Sequence, residues 1–111
     1  MDQFVGFAGQ ISPEHVTQIV EQGFKSIINN RPDMEGGPDQ PVSAQIEEAA
    51  REAGLDYIHQ PVVAGQITEA DVQAFANHYN ELPKPVLMFC RTGNRSNNLY
   101  QLARQMDLLD D

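Results

Sequence analysis

One cysteine and two arginines fall within the six residues Cys90-Arg91-Thr92-Gly93-Asn94-Arg95, and Ser96 follows directly. An apolar run, VLMF, leads into Cys90, and a stretch in which Leu99, Leu102, Ala103 and Met106 recur at helical spacing leads away from it. The sulfur therefore stands where a strand ends, and the chain must turn over that point before a helix begins. In such a turn several backbone N–H groups face inward, and the helix adds its unsatisfied donors and the positive end of its dipole. A loop of this kind holds an anion. A thiol at its mouth ionises more easily, because the N–H groups, the dipole and Arg91 or Arg95 all favour thiolate over thiol. An ionised sulfur is a nucleophile.

Each neighbour has an expected part. Gly93 permits close backbone approach or a positive φ, Arg95 offers an oxyanion a planar, two-pronged donor, and Ser96 either caps the helix or donates its hydroxyl to the sulfur. Arg91, Thr92 and Asn94 complete the anion-binding set, with Asn97 a further hydrogen-bonding residue just beyond it. The competing reading is a cysteine that merely packs. Two arginines, a glycine and a serine around it make a poor hydrophobic core.

The rest of the chain must position this loop. Residues 3–8 read as a first strand at a sheet edge, and Ser12-Pro13 starts a helix with Val16, Ile19 and Val20 on its apolar face and Gly23 at its end. Residues 24–29 read as a second strand, 43–53 as a helix with Ile46, Ala49, Ala50 and Ala53 inward, and 56–62 as a third strand. Thr68 opens a third helix with Asp71 in the place of the usual capping-box glutamate, and Val72, Phe75, Ala76 and Tyr79 share its apolar face. Strands alternating with helices predict a compact three-layer α/β fold, a mainly parallel sheet flanked by helices, as one domain over residues 1–111. Ligands of such sheets gather outside the carboxyl ends of the strands, so the connections leaving from Asn30, Val63 and Cys90 are expected to line one pocket. The first of them, NRPDMEGGPDQ, has the Gly/Pro-rich composition of a flap or of a disordered segment.

Sixteen acidic residues against seven Lys plus Arg give a formal net charge of -9, which argues against nucleic acid and anionic membranes as partners. Concentrating Arg91 and Arg95 in one loop of so acidic a chain, with Arg104 on the helix beyond, suits a small anionic ligand. No apolar run approaches membrane length and no basic-then-apolar leader precedes the first strand, so a cytoplasmic protein without a cleaved signal is expected. A lone cysteine forms no internal disulfide and suits a reducing compartment. His15, His59 and His78 lie on separate elements without ligand spacing, and neither a metal nor a cofactor is expected.

The order of elements and the sequence around Cys90 resemble the cysteine phosphatase superfamily, in particular its compact dual-specificity branch. More closely, ISPEHVTQIVEQGFKSIINNRPD, HQPVVAGQITEADVQAF and VLMFCRTGNRS resemble the bacterial phosphatase-like domain of the beta-lactamase-hydrolase-like family. The resemblance covers nearly the whole chain. It implies a phosphatase-type fold with Cys90 as nucleophile and Arg95 as oxyanion clamp, and, since such domains occur fused to persulfide-oxidising enzymes, an enzyme of that kind as a partner.

The sequence departs from the phosphatase pattern in two places. Those enzymes place five residues between Cys and Arg, whereas four stand here, and the shorter Cys-Arg-x-Gly loop resembles that of rhodanese sulfurtransferases. Dual-specificity phosphatases also carry an acid after the strand corresponding to residues 56–62, where this chain reads Val63-Ala64-Gly65-Gln66. General acid catalysis typically supplies about 10²–10⁴-fold. Sulfur transfer needs no such acid, because the leaving thiolate or sulfite is stable as an anion. The first expectation is therefore a sulfurtransferase that carries a persulfide on Cys90 between a small anionic sulfur compound and a thiol acceptor. The alternative is phosphomonoester hydrolysis through a phosphocysteine, and the third reading is an inactive anion-binding or redox-sensing module.

Among other residues, Arg31 begins the connection after the second strand and either reaches the same anion or is solvated. Asp33 is the most available carboxylate for an acid. His59 either approaches Cys90 or is a plain strand residue, and Glu69 and Asp71 are expected at a helix start rather than as proton donors.

Overall fold

The computed structural model describes residues 4–110. Gln3, with which the first strand was expected to begin, lies outside them. Four strands, β1 (Val5–Ala8), β2 (Ser26–Asn29), β3 (Asp56–His59) and β4 (Val86–Phe89), form one sheet in the order β1-β4-β2-β3. All three pairings are parallel: Val5 lies opposite Val86, Ser26 opposite both Val86 and Asp56. Among the described residues the four helices are α1 (Val16–Glu21), α2 (Ser43–Glu52), α3 (Glu69–Glu81) and α4 (Asn94–Gln105), and a 3-10 turn at Pro13–His15 precedes α1.

The layering follows from strand alternation. On one face Ile27, Tyr57, Leu87 and Phe89 pack with Val16 and Ile19 of α1 and Ile46 and Ala50 of α2. On the other, Val5, Ile28, Val86 and Met88 pack with Val72, Phe75 and Tyr79 of α3 and Leu99, Tyr100 and Ala103 of α4. The inner strands β2 and β4 are buried at every position, as a parallel sheet covered on both faces requires. The predicted three-layer parallel α/β architecture is the one observed, with β1 at an edge.

Several local expectations change. Ser12 precedes a 3-10 turn rather than the α-helix, and Val20 is exposed. On α4 the buried stripe is Ser96, Leu99, Tyr100 and Ala103, while Leu102 and Met106 face solvent. A helical period allows either stripe; the aromatic cluster opposite selects the one with Tyr100, whose ring lies 5.6 Å from Phe7, 6.4 Å from Phe75 and 5.8 Å from Tyr79. Ala53 likewise stands outside the core, at the end of α2.

This order creates a crevice. The helix after β2 lies on one face and the helix after β4 on the other, so the chain parts between two adjacent strands at their carboxyl ends. The segments that leave there begin at Asn30 and Cys90. Asn30 N–H donates to Phe89 O at 2.8 Å, and Cys90 N–H donates to Ala8 O at 3.4 Å.

Candidate active site

Cys90 directly follows β4, and its side chain is almost wholly enclosed, by backbone amides rather than by hydrocarbon alone. Gly93 N–H donates to Cys90 Sγ at 3.1 Å. Gly93 makes this turn with φ +93°, and a Cβ there would meet Ala8 O at 3.4 Å, so both the positive φ and the close approach anticipated for it are present. It is also the residue from which α4 starts; Ser96 does not cap the helix. Burial opposes ionisation of Cys90, but the N–H groups of Ser96, Thr92 and Gly93, together with the Ser96 hydroxyl, outweigh it and hold the thiol below the range of a free cysteine. The Ser96 hydroxyl has one proton, and it donates to Asn30 Oδ1 at 2.9 Å. Asn30 is fixed in turn by Nδ2 donating to Gln60 O at 3.1 Å, which leaves the backbone N–H of Ser96 as the steadier donor to the sulfur.

The lowered value gives a direct test. The thiolate absorbance of Cys90 should rise with a midpoint below the roughly 8.5 of a free cysteine. Ser96→Ala should leave that midpoint below the free-thiol value, because the amides that hold the sulfur remain. A wild-type midpoint at or above 8.5 contradicts the amide cradle.

Arg95 lies in the first turn of α4 with its side chain nine-tenths buried. One terminal nitrogen donates to Val62 O at 2.9 Å and the other to Glu35 Oε1 at 3.0 Å. Its Nε is buried and has no acceptor. A leftover donor of that kind marks a place for an acceptor. Arg91 is exposed and borders the same cleft as Cys90, Thr92, Asn94 and Arg95, a cavity of about 670 Å³ walled on its far side by Ala64, Gly65 and Ile67. Thr92 Oγ accepts from Asn94 N–H at 3.3 Å, which steadies the turn. Asn97 is exposed and its side chain accepts from Gln101, away from the sulfur.

Arg31 does not reach the sulfur's cleft. Its Nε donates to Glu35 Oε1 at 3.0 Å and a terminal nitrogen donates to Gln10 Oε1 at 3.0 Å, so it is buried rather than solvated and meets Arg95 through a shared carboxylate. Asp33 is not the expected acid: its Oδ1 accepts from Ser43 N–H at 2.9 Å at the start of α2, a helix end that offers unpaired N–H groups. The 30–40 connection is also not a loose flap, since Gly36 N–H donates to Gln40 Oε1 and Gln40 Nε2 to Pro32 O. His59 braces the start of that connection through Nε2 at 2.9 Å from Arg31 O and does not border the cleft. Asp71 and Thr68 form the expected capping box of α3, with Thr68 N–H donating to Asp71 and Asp71 N–H to Thr68. Glu69 stands beside them in the first turn.

Two contributors escaped sequence reasoning. Glu35 bridges both buried arginines from inside a Gly/Pro-rich segment with no pattern to mark it, and Asn30 reads as an ordinary strand-end residue. The hydrogen bond from Arg95, foremost, with Arg31 adding to it, outweighs burial and keeps Glu35 below the ordinary carboxylate range. Glu35 is therefore ionised at neutral pH and has no proton to give. Among the described residues no group of three or more His, Cys, Asp or Glu side chains is placed to hold a metal ion.

A parallel α/β domain whose central strand delivers a cysteine into a ring of amides, with an arginine closing the ring at the next helix, has the form of a cysteine-phosphatase-like domain. Residues 2–107 match the family described as the phosphatase-like domain of the beta-lactamase hydrolase-like protein, and the chain belongs to that family. It is 44% identical over 100 residues to a beta-lactamase hydrolase-like protein of Agrobacterium fabrum and 37% identical over 107 residues to one of Xylella fastidiosa, covering 90% and 96% of this chain. The aligned part is 23% and 25% of those proteins, so the chain spans about a quarter of the relatives it matches. A candidate phosphatase from Neisseria meningitidis superposes with a TM-score of 0.87 at 36% identity, over 96% of this chain and 75% of that one. A candidate phosphatase from Shewanella putrefaciens, at 21% identity and a TM-score of 0.79, shares the fold over 96% of this chain and 66% of its own. Among the described residues no helix is long and apolar enough to cross a membrane.

Proposed function

We propose that this domain is a cysteine-dependent phosphatase for small anionic phosphomonoesters with good leaving groups. The observation that carries the reading is the Cys90 sulfur receiving Gly93 N–H at 3.1 Å beside a nine-tenths-buried Arg95. Membership of a phosphatase-like family supports it and moves phosphate chemistry ahead of the sulfur transfer favoured by sequence alone. The Cys90 thiolate attacks phosphorus, the P–O bond to the leaving group breaks, and that oxygen departs with the bonding pair. Water then attacks the phosphocysteine, the P–S bond breaks, and the thiolate returns as phosphate leaves. Loop amides and Arg95 balance the charge on the transferring group in both steps.

Leaving-group dependence follows from the carboxylates. Asp33 caps α2, Glu35 is ionised against two arginines, and among the described residues no acidic side chain borders the Cys90 cleft. Without a proton donor, phenols that leave as anions are favoured over alkyl alcohols by about the 10²–10⁴-fold a general acid supplies. The test is the rate of hydrolysis of 4-nitrophenyl phosphate against glycerol phosphate, with Cys90→Ala as control. Rapid, Cys90-dependent aryl hydrolysis with a weak alkyl rate is expected; equal rates on both overturn the absence of an acid, and no Cys90-dependent hydrolysis of either overturns phosphatase activity.

The same missing proton donor favours a second reading, sulfur transfer. Cys90 thiolate attacks the outer sulfur of thiosulfate, the S–S bond breaks, and sulfite departs with its bonding pair. An acceptor thiolate then takes the sulfane sulfur and restores Cys90. Thiocyanate formed from thiosulfate and cyanide, lost in Cys90→Ala and unaccompanied by aryl phosphate hydrolysis, would put this reading first.

A further inference from the structure

A second cleft lies beside the first and shares Ala64, Arg91 and Arg95 with it. It has a volume of about 590 Å³ and is completed by Arg31, Glu35 and Gly36. Three of the chain's seven Lys and Arg residues thus border one hollow of a strongly acidic protein. Two of them converge: Arg31 Nε and a terminal nitrogen of Arg95 each lie 3.0 Å from the same oxygen, Glu35 Oε1, and both arginine side chains are nine-tenths buried. Like charges so enclosed repel strongly unless an anion stands between them.

The anion that does so is only loosely enclosed, since the Glu35 side chain keeps a quarter of its surface in solvent. The hollow is also shaped by Gly36, where a Cβ would lie 2.6 Å from a terminal nitrogen of Arg31 and 3.2 Å from Gln40 Oε1. A carboxylate already fits the place, and the Arg95 guanidinium that holds it borders the cleft of the reacting sulfur.

We propose that Arg31 and Arg95 form a second anion subsite, occupied by Glu35 in the free protein, which receives a distal carboxylate of the molecule whose reacting group sits over Cys90. This rests on the reading of the Cys90 loop as an anion cradle and deepens it. The substrate class becomes a small molecule with two separated anionic groups, one reacting and one anchoring. Entry of the distal carboxylate exchanges one carboxylate for another on the same donors, so the two arginines keep their charge balance while Glu35 turns to solvent.

Calorimetric titration of the wild-type protein with phenylphosphonate and with 3- and 4-carboxyphenylphosphonate separates the two sites, because none of these compounds can be hydrolysed. At least one carboxylated ligand should bind about ten-fold more tightly than the plain one, the gain of about one net hydrogen bond, because the displaced Glu35 carboxylate, already a quarter exposed, recovers its lost bonds from water. Arg31→Gln should bring that ratio back to about one, and Glu35→Gln should raise it, since a neutral amide contests the guanidinium groups less than a carboxylate does. Equal binding of all three ligands, or a gain that survives Arg31→Gln, overturns the subsite while leaving the Cys90 cradle intact. Failure of phenylphosphonate to bind, with no carboxylated ligand binding either, overturns both together.

Discussion

Arg95→Ala is expected to lower kcat/KM for 4-nitrophenyl phosphate by about 10²–10³-fold, the loss typical when one donor to a developing oxyanion is removed. The guanidinium is held by Val62 O and Glu35 and borders the Cys90 cleft, so its position is set before substrate arrives. Its removal also leaves Glu35 with Arg31 alone, placing a less fully balanced negative charge beside an anionic substrate. Arg95→Lys should recover little of the loss, since an ammonium cannot bond Val62 O, Glu35 and a substrate oxygen with the geometry of a planar fork. Arg91→Ala should cost much less, because Arg91 is exposed and its charge is screened. Steady-state kinetics of the three variants decides the matter: comparable small losses at Arg91 and Arg95 would mean that the clamp is misassigned.

Tyr100→Ala is expected to destabilise the protein by about 3–5 kcal/mol, in line with other large-to-small changes at buried aromatic positions. Tyr100 is 2% exposed and joins Phe7 of β1 with Phe75 and Tyr79 of α3, so truncation opens a cavity where both layers meet. Against a typical total of about 5–15 kcal/mol, such a loss shifts the urea midpoint far and loosens the helix that fixes the Cys90 loop. Leu102→Ala, two positions on and 37% exposed, should change stability by no more than about 0.5 kcal/mol. Equivalent midpoints for the two variants would place the wrong face of α4 in the core.

That comparison marks where reading the chain stops. A run of helical spacing names several stripes on α4, and hydrophobicity alone favours Leu102 and Met106 over Tyr100. The choice is made by Phe75, Tyr79 and Phe7, which no local pattern brings opposite. The strand-to-helix reading of the Cys90 segment holds for its strand, turn and helix, though not for the helix's buried face or for Ser96 as its cap, because each of those parts is local: an apolar strand, a glycine that turns with positive φ, and a helix starting four residues after the sulfur. Asp33 illustrates the converse. Its carboxylate looked available, yet the unpaired amide of Ser43 ten residues later claims it.

By itself, then, the order of residues determined an alternating α/β chain with a cysteine, a turn and an arginine where one strand gives way to a helix, since periodicity and turn chemistry act over a few residues; that this strand is an inner one was decided by the sheet order. What surrounds that arginine was decided only by the folded chain. Glu35 is sixty positions from Arg95, Asn30 sixty-six from Ser96, and Arg31 meets Arg95 solely through a shared carboxylate oxygen. Parallel pairing of β2 with β4 brings these groups together at the carboxyl ends of the two inner strands, and contacts across such separations leave no periodic trace in sequence.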